Sequence, residues 1–260
     1  MVKRVFSKIY IGIIIFFLYM PIVVLMILSF SDSKTKAITG SFTLKWYAQL
    51  LKNEEIMGAI ATTLLLALAS ALISTVIGLL GAIGIDAMKK RGYAVMMGAT
   101  NIPLLNADIV TGIALMLFFV RFIPLGFSSM LIAHITFNIP YVILSVLPKL
   151  RQIDVSVYEA ARDLGANSVK AFVKVIIPII KPGIVSGFML AMTMSLDDFI
   201  ITYFTRGAGY NTLSTVIYGQ IRRGINPEIY ALSTILFLVV LIVLVVVNYS
   251  PKKKKENNFQ

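Results

Sequence analysis

Six stretches of this chain are apolar over a length that matches the hydrocarbon core of a bilayer, and that repetition dictates the fold class. They are Ile9–Phe30, Ala59–Ile85, Tyr93–Val120, Phe127–Leu147, Gly183–Thr205 and Ile229–Tyr249. A helix needs about 20 mostly apolar residues to cross, and in lipid only helices and closed barrels satisfy every backbone polar group. The sequence therefore predicts an all-α membrane protein with about six transmembrane helices in one transmembrane domain over residues 1–260. Composition agrees: only 14% of the residues are charged, against about a quarter in a soluble domain. The first run shows no small-x-small cleavage site, so it reads as a retained helix rather than a secretory signal. With no cysteine and a single histidine, a disulfide, a thiolate nucleophile and a multi-histidine metal site are excluded.

The net charge of +12 would suggest nucleic acid in a soluble protein; here it reads as basic cytoplasmic loops, and no nucleic-acid partner is expected. With the N-terminus inside, the inner segments hold Lys3, Arg4 and Lys8, the Lys89–Arg91 triplet, six basic residues between Lys149 and Lys181, and Lys252–Lys255. That is sixteen of the 24 basic residues, and the bias predicts both termini cytoplasmic. The Lys252–Lys255 run reads as a stop signal beside anionic lipid. Two connections exceed a turn: an outer segment 31–58 with an amphipathic pattern of Leu44, Tyr47, Ala48 and Leu51, and an inner segment 148–182. Small residues punctuate the second span at Ala67, Ala71, Ser74, Gly78, Gly81 and Gly84, a row that lets helix backbones approach in lipid.

Three carboxylates stand inside predicted spans: Asp108, Asp197 and Asp198. A charge at mid-bilayer costs roughly 2.5–3.5 kcal/mol on insertion scales, so such residues are functional candidates. Asp108 and Asp197 both lie about 21–23 Å from the inner boundary, and His134, on a span running the other way, about 10 Å from the outer one. Three helices thus bring polar groups to one outer-half layer. Ser195, Asp198, Thr202 and Thr205 fall on one helical face, which reads as lining a substrate pathway, with Asp108 as the second principal carboxylate. Asp197 falls about 100° away and is expected to brace a neighbouring helix. The other reading is that these carboxylates cap broken helices or pair with Arg. His134 reads first as a hydrogen-bonded packing residue. Trp46 suits either an amine near the outer mouth or an interfacial belt. An acidic layer attracts a cationic solute with several ammonium groups and repels an anion.

The inner segment reads as two short helices at a glycine corner. Asp154 or Ser156 can cap the first, over Val157–Leu164, with Glu159 at capping-box spacing from Ser156. Asn167 or Ser168 can cap the second, which runs to Pro178. Glu159-Ala160-Ala161, then Gly165, then Val175-Ile176-Ile177-Pro178 resembles the EAA signature of bacterial ABC importer permeases. Val175 and Ile177 stand where that signature usually has Ile and Leu. Ser195-Leu196-Asp197-Asp198-Phe199 and Phe42-Thr43-Leu44-Lys45-Trp46-Tyr47 resemble the spermidine/putrescine importer permeases within that family. The resemblance implies the type I importer permease fold and a multi-pass position in the bacterial inner membrane. It implies a coupling loop in which Glu159, Ala160, Ala161, Gly165 and Pro178 shape the contact with an ATPase. It further implies a second related permease subunit, two copies of a cytoplasmic ABC ATPase that bind ATP and Mg, and an extracellular polyamine-binding protein. No Gly-x-x-x-x-Gly-Lys-Ser/Thr loop occurs in the chain, so the subunit itself has no ATPase site and no cofactor. The competing readings are an importer permease for another cation or small solute, and a gradient-driven secondary transporter using Asp and His134 as a proton relay.

Overall fold

The computed structural model describes residues 2–32, 40–224 and 226–249; the basic run Lys252–Lys255 lies outside them. Twelve helices follow in order: α1 Val2–Ser29, α2 Lys45–Lys52, α3 Glu54–Asp86, α4 Lys90–Leu105, α5 Asp108–Phe122, α6 Phe127–Leu150, α7 Val155–Asp163, α8 Ser168–Ala171, α9 Ile177–Asp197, α10 Ile200–Thr205, α11 Leu213–Arg223 and α12 Pro227–Tyr249. Among the described residues only an isolated bridge, Ser31 to Phe42, pairs extended chain. Ser7–Ser29, Glu54–Asp86, Phe127–Leu150 and the continuous helix Ser168–Asp197 are each long and apolar enough to cross a membrane; α4 and α5 qualify together across a bend, and Pro227–Ile242 of α12 is a shorter apolar helix. The architecture is an all-α membrane fold of about six crossings.

The chain divides into two compact units, Met1–Met57 with Gly219–Gln260, and Gly58–Tyr218. In the first, α12 packs on α1 and on α2. Asn53 donates to the Glu228 carboxylate at 2.7 Å. The amphipathic outer helix forms, but its buried face is Trp46 and Leu50, while Leu44 and Leu51 are exposed. The expected Leu44–Leu51 face is corrected because the Trp46 indole N–H reaches the Ser31 carbonyl at 2.9 Å and turns the helix around that bond.

In the second unit α6 packs along α9, and α10 against α5 and α6. Ala71, Ala82, Val142, Val146, Ile180 and Ala191 form its buried core. The small-residue row of α3 matters here: a Cβ at Gly78 would lie 2.6 Å from the Cβ of Val142. Arg151 bonds Asp86 at 3.1 Å and lies 3.8 Å above the Tyr93 ring, tying α3, α4 and α6 together at one end.

Two predicted spans are corrected. Tyr93–Val120 is broken into α4 and α5, which meet at 102°. Pro103 lacks the N–H that would bond the Ala99 carbonyl, and the chain turns extended at Asn106. The fifth span begins earlier and ends earlier than Gly183–Thr205. The second helix of the inner loop does not stop at Pro178; α8 runs through a π-helical turn, Phe172–Ile176, into α9. The wider turn absorbs the hydrogen bond that Pro178 cannot donate. The span then breaks after Asp197, and α10 is separate.

Candidate functional site

Both helix breaks of the second unit leave an aspartate at the start of the helix that follows. At the first, Asn106 and Ala107 are extended and α5 restarts at Asp108. The Asn106 amide donates to the Thr111 hydroxyl at 3.1 Å, so the corner is held by its own side chain. At the second, Asp198 is extended and α10 restarts two residues later. Asp198 Oδ1 accepts from the Ile201 N–H at 3.3 Å, and Oδ2 accepts from the Thr202 N–H and hydroxyl, each at 2.8 Å. A carboxylate that takes the orphan N–H groups of a helix start is a cap. Its side chain is only 10% exposed.

Beneath this cap lies a buried polar network. His134 and Asn138 of α6 and Ser195 of α9 are fully or almost fully buried, as are Thr202 and Thr205 of α10. His134 Nε2 lies 2.9 Å from Thr202 Oγ1 and 3.5 Å from Asp198 Oδ2; Nδ1 lies 3.0 Å from Ser195 Oγ. Because the Thr202 hydroxyl donates to Asp198, the ring donates to Thr202 through Nε2 and accepts from Ser195 through Nδ1. Ser70 and Asn138 complete the network on Ser195, at 2.9 and 2.8 Å. Asn138 Oδ1 is the one buried side-chain acceptor among the described residues that finds no partner.

Above it opens a cavity of about 390 Å³, lined by Asp108, Phe137, Met194, Asp197, Asp198 and Phe199 with Ile200 and Ile201. The three carboxylates singled out in the sequence thus share one wall. Asp108 and Asp197 are exposed to it, and among the described residues neither makes a hydrogen bond or an ion pair. Deprotonated carboxylates offer acceptors and negative charge but no donor, so the wall suits a cationic guest. The helical wheel placed Asp197 against a neighbour; the break at Asp198 ends the regular phase and leaves Asp197 facing the open space. Ser195 and Thr202 lie in the buried network and not on the wall. Trp46 belongs to the other unit, 5% exposed with its N–H bonded to the Ser31 carbonyl. Phe137, Met194 and Phe199 are wall residues that sequence reasoning did not select; Phe199, next to the Asp pair, carried the only local signal.

The inner loop forms the anticipated corner. Asp154 is the cap, accepting from the Ser156 N–H at 3.0 Å; that backbone bond holds its carboxyl below the usual range. The Ser156–Glu159 capping box does not form, because Ser156 lies inside α7. Gly165 has φ +86°, the left-handed conformation that ends a helix at little cost only for glycine. Asn167 caps α8 through the Lys170 N–H at 2.8 Å, and Arg162 bonds Ser168 across the corner. Glu159, Ala160 and Gly165 are exposed, Ala161 is half-buried, and Leu164 at the tip is 89% exposed. Pro178 sits in the first turn of α9.

Comparison with known proteins agrees with this architecture. The chain is 35% identical over 243 residues to the spermidine/putrescine transport system permease protein PotC of Escherichia coli (strain K12), covering 93% of this chain and 92% of that one. It is 36% identical over 231 residues to the putrescine transport system permease protein PotI of the same strain, covering 85% and 81%. Among solved structures, a chain of a bacterial ABC transporter involved in the import of the acidic polysaccharide alginate superposes with a TM-score of 0.71 at 17% identity, covering 96% and 97%; at that identity the likeness speaks for the fold alone. The family model for binding-protein-dependent transport system inner membrane components matches residues 74–250, across both helix breaks and the glycine corner. With two thirds of its length under that model and near-full-length relatives above 30% identity, the chain belongs to the family of binding-protein-dependent transport system inner membrane components.

Proposed function

We propose that the chain is the permease subunit of an ATP-driven polyamine importer and lines half of its translocation path. The observation that carries this reading is the carboxylate wall: Asp108 and Asp197 exposed to one cavity beside Asp198. Polyamines carry separated ammonium groups, and each is satisfied by a carboxylate or an aromatic face. The relatives named for spermidine and putrescine support the same cargo. The alginate importer's shared fold is no objection, because cargo is set by the site and not by the scaffold. Within the wall, Asp108 and Asp197 receive ammonium groups, while Asp198 keeps its position as the cap of α10 and lends its charge. His134, Ser195 and Thr202 position that cap from below. Trp46 acts as an interfacial anchor.

The rest of the machine is inferred from the family. A second related permease completes the path, and an extracellular polyamine-binding protein delivers the cargo. Two cytoplasmic ATPase subunits bind ATP and Mg and press on the corner formed by Glu159, Ala160, Ala161 and Gly165. Both termini lie in the cytoplasm of a bacterial cell, and the spans rock to alternate access to the cavity. The test is uptake by the complete complex in proteoliposomes. ATP-dependent uptake of labelled spermidine or putrescine, unaffected by collapse of ion gradients, is the expected result. Uptake driven by a gradient without ATP would identify a secondary transporter, and competition by anionic or neutral solutes would remove the polyamine assignment.

A further inference from the structure

A second cavity of the same unit, about 530 Å³, opens beside the last turn of α10, with Tyr203, Phe204, Arg206, Met116 and Leu125 in its wall. Arg206 ends α10, its N–H bonded to the Thr202 carbonyl at 2.9 Å. Its guanidinium donates to the Asn211 side-chain oxygen and stands over the Tyr203 ring, 5.5 Å from the centroid. Among the described residues no carboxylate pairs with it. The loop that follows is pinned: a Cβ at Gly207 would fall 2.1 Å from the Leu125 carbonyl oxygen. A cation with no counter-ion among the described residues is thereby held on an aromatic face by position, within the distance at which ring and cation attract.

The rings continue toward the carboxylates. Phe199, just before α10, and Tyr203, within it, have centroids 5.3 Å apart, and Tyr218 lies 4.5 Å from Phe199 and 6.0 Å from Tyr203. Phe199 lines the carboxylate cavity and Tyr203 the second one. The aromatic cluster therefore joins the two spaces. The step along α10 is about 6 Å, which a short methylene spacer spans.

We propose that the Tyr203 face is a second station for an organic ammonium group, and that in the free chain Arg206 occupies it as a tethered competitor. An arriving ammonium displaces the guanidinium, passes its charge along Phe199 and Tyr218, and reaches the wall of Asp108 and Asp197. Arg206 thereby sets the threshold a cation must exceed to enter, and selects cations able to engage ring and carboxylate together. This rests on the cationic-cargo reading of the carboxylate cavity.

The test uses the assembled complex with the parental chain and with Arg206→Gln, Arg206→Lys, Tyr203→Phe and the double variant Arg206→Gln/Tyr203→Leu; Arg206→Met replaces Arg206→Gln should the latter assemble poorly. The probe is tetramethylammonium, too short to bridge both stations. Saturation-transfer NMR is expected to give a stronger signal on Arg206→Gln than on the parental or Arg206→Lys complex, where only the carboxylate wall is open to it. The double variant is expected to fall back to the parental signal. In polyamine uptake, tetramethylammonium should inhibit Arg206→Gln at a concentration on the order of 3-fold below that needed for the parental complex, the scale of a half-exposed cation–ring contact. Tyr203→Phe, which keeps the ring, should respond as the parental complex does. Equal sensitivity of parental and Arg206→Gln complexes, or a gain in signal over the parental complex that survives loss of the Tyr203 ring, overturns the proposal. Binding to Arg206→Gln in a complex that takes up no polyamine would refute the cargo assignment while leaving the station in place.

Discussion

Removing the Asp198 carboxylate separates its role from that of Asp197 one residue before it. Asp198 satisfies two backbone N–H groups and the Thr202 hydroxyl from a side chain only 10% exposed. Loss of a helix cap costs about 0.5–2 kcal/mol, and a hydrogen bond to a charged group contributes about 1.5–3 kcal/mol. These overlap in one carboxylate, so Asp198→Ala is expected to destabilise by about 2–4 kcal/mol. For a chain of this size that corresponds to a fall in Tm on the order of 10 °C. Asp198→Asn keeps one acceptor and should fall about half as far. Asp197→Asn removes a charge that no partner holds among the described residues, and its Tm should stay within about 2 °C of the parental value. The assay is thermal unfolding of the purified complex in nanodiscs, read by loss of the monodisperse species. A parental Tm for Asp198→Ala, or a Tm for Asp197→Asn as low as that of Asp198→Ala, would refute the division between a capping and a cargo-facing carboxylate.

Gly183→Val should impair folding, because a Cβ there would lie 2.8 Å from Lys149 Cγ and 3.0 Å from the Ser145 carbonyl; overpacking costs about 1–3 kcal/mol, and the amount of folded chain in the membrane measures it. Gly165→Val forces a side chain into φ +86°, and Glu159→Lys reverses charge on the exposed face of α7; each should leave ATP hydrolysis by the complex but abolish its stimulation by cargo. Single cysteines in this cysteine-free chain should react from outside at Gly40 and from inside at Lys90, which thiol labelling of intact cells reads directly.

The six apolar runs, the outer amphipathic helix and the glycine corner were legible because each rests on local composition or on a single residue type. Asp108 and Asp197 do line one cavity, as their equal depths suggested, but those depths were counted from boundaries that the structure moves: the fifth span begins at Ser168 and the third is bent between Leu105 and Asp108. Helical phase was less durable. It grouped Ser195, Asp198 and Thr202 on one face, and these groups do bond to one another or to His134. That face is the buried one, because a polar stripe in a membrane helix packs against another polar stripe as readily as it lines a path. Asp197 could not be placed by a wheel whose helix ends at that residue. The break itself carries neither proline nor glycine; it depends on the Asp198 cap and on the Ser214 hydroxyl at 2.7 Å from the Asp198 carbonyl, a contact from 16 residues away. The continuation of the loop helix through Pro178 likewise depends on a π-helical turn that no pattern of apolar residues announces.

The central claim, that the cavity carboxylates read the charge of the cargo, is tested most directly by polyamine uptake through the complete complex carrying Asp108→Asn, Asp197→Asn or both. Uptake is normalised to assembled complex. Each substitution keeps the size of the side chain and removes a charge that faces the cavity without a hydrogen-bond or ion-pair partner among the described residues. With about 1.5–3 kcal/mol for each lost carboxylate–ammonium contact, single variants should be about 10- to 100-fold slower, and the double variant slower still, with Tm unchanged. Parental rates in both single variants and in the double variant would show that the acidic wall does not handle the cargo, and would contradict the account.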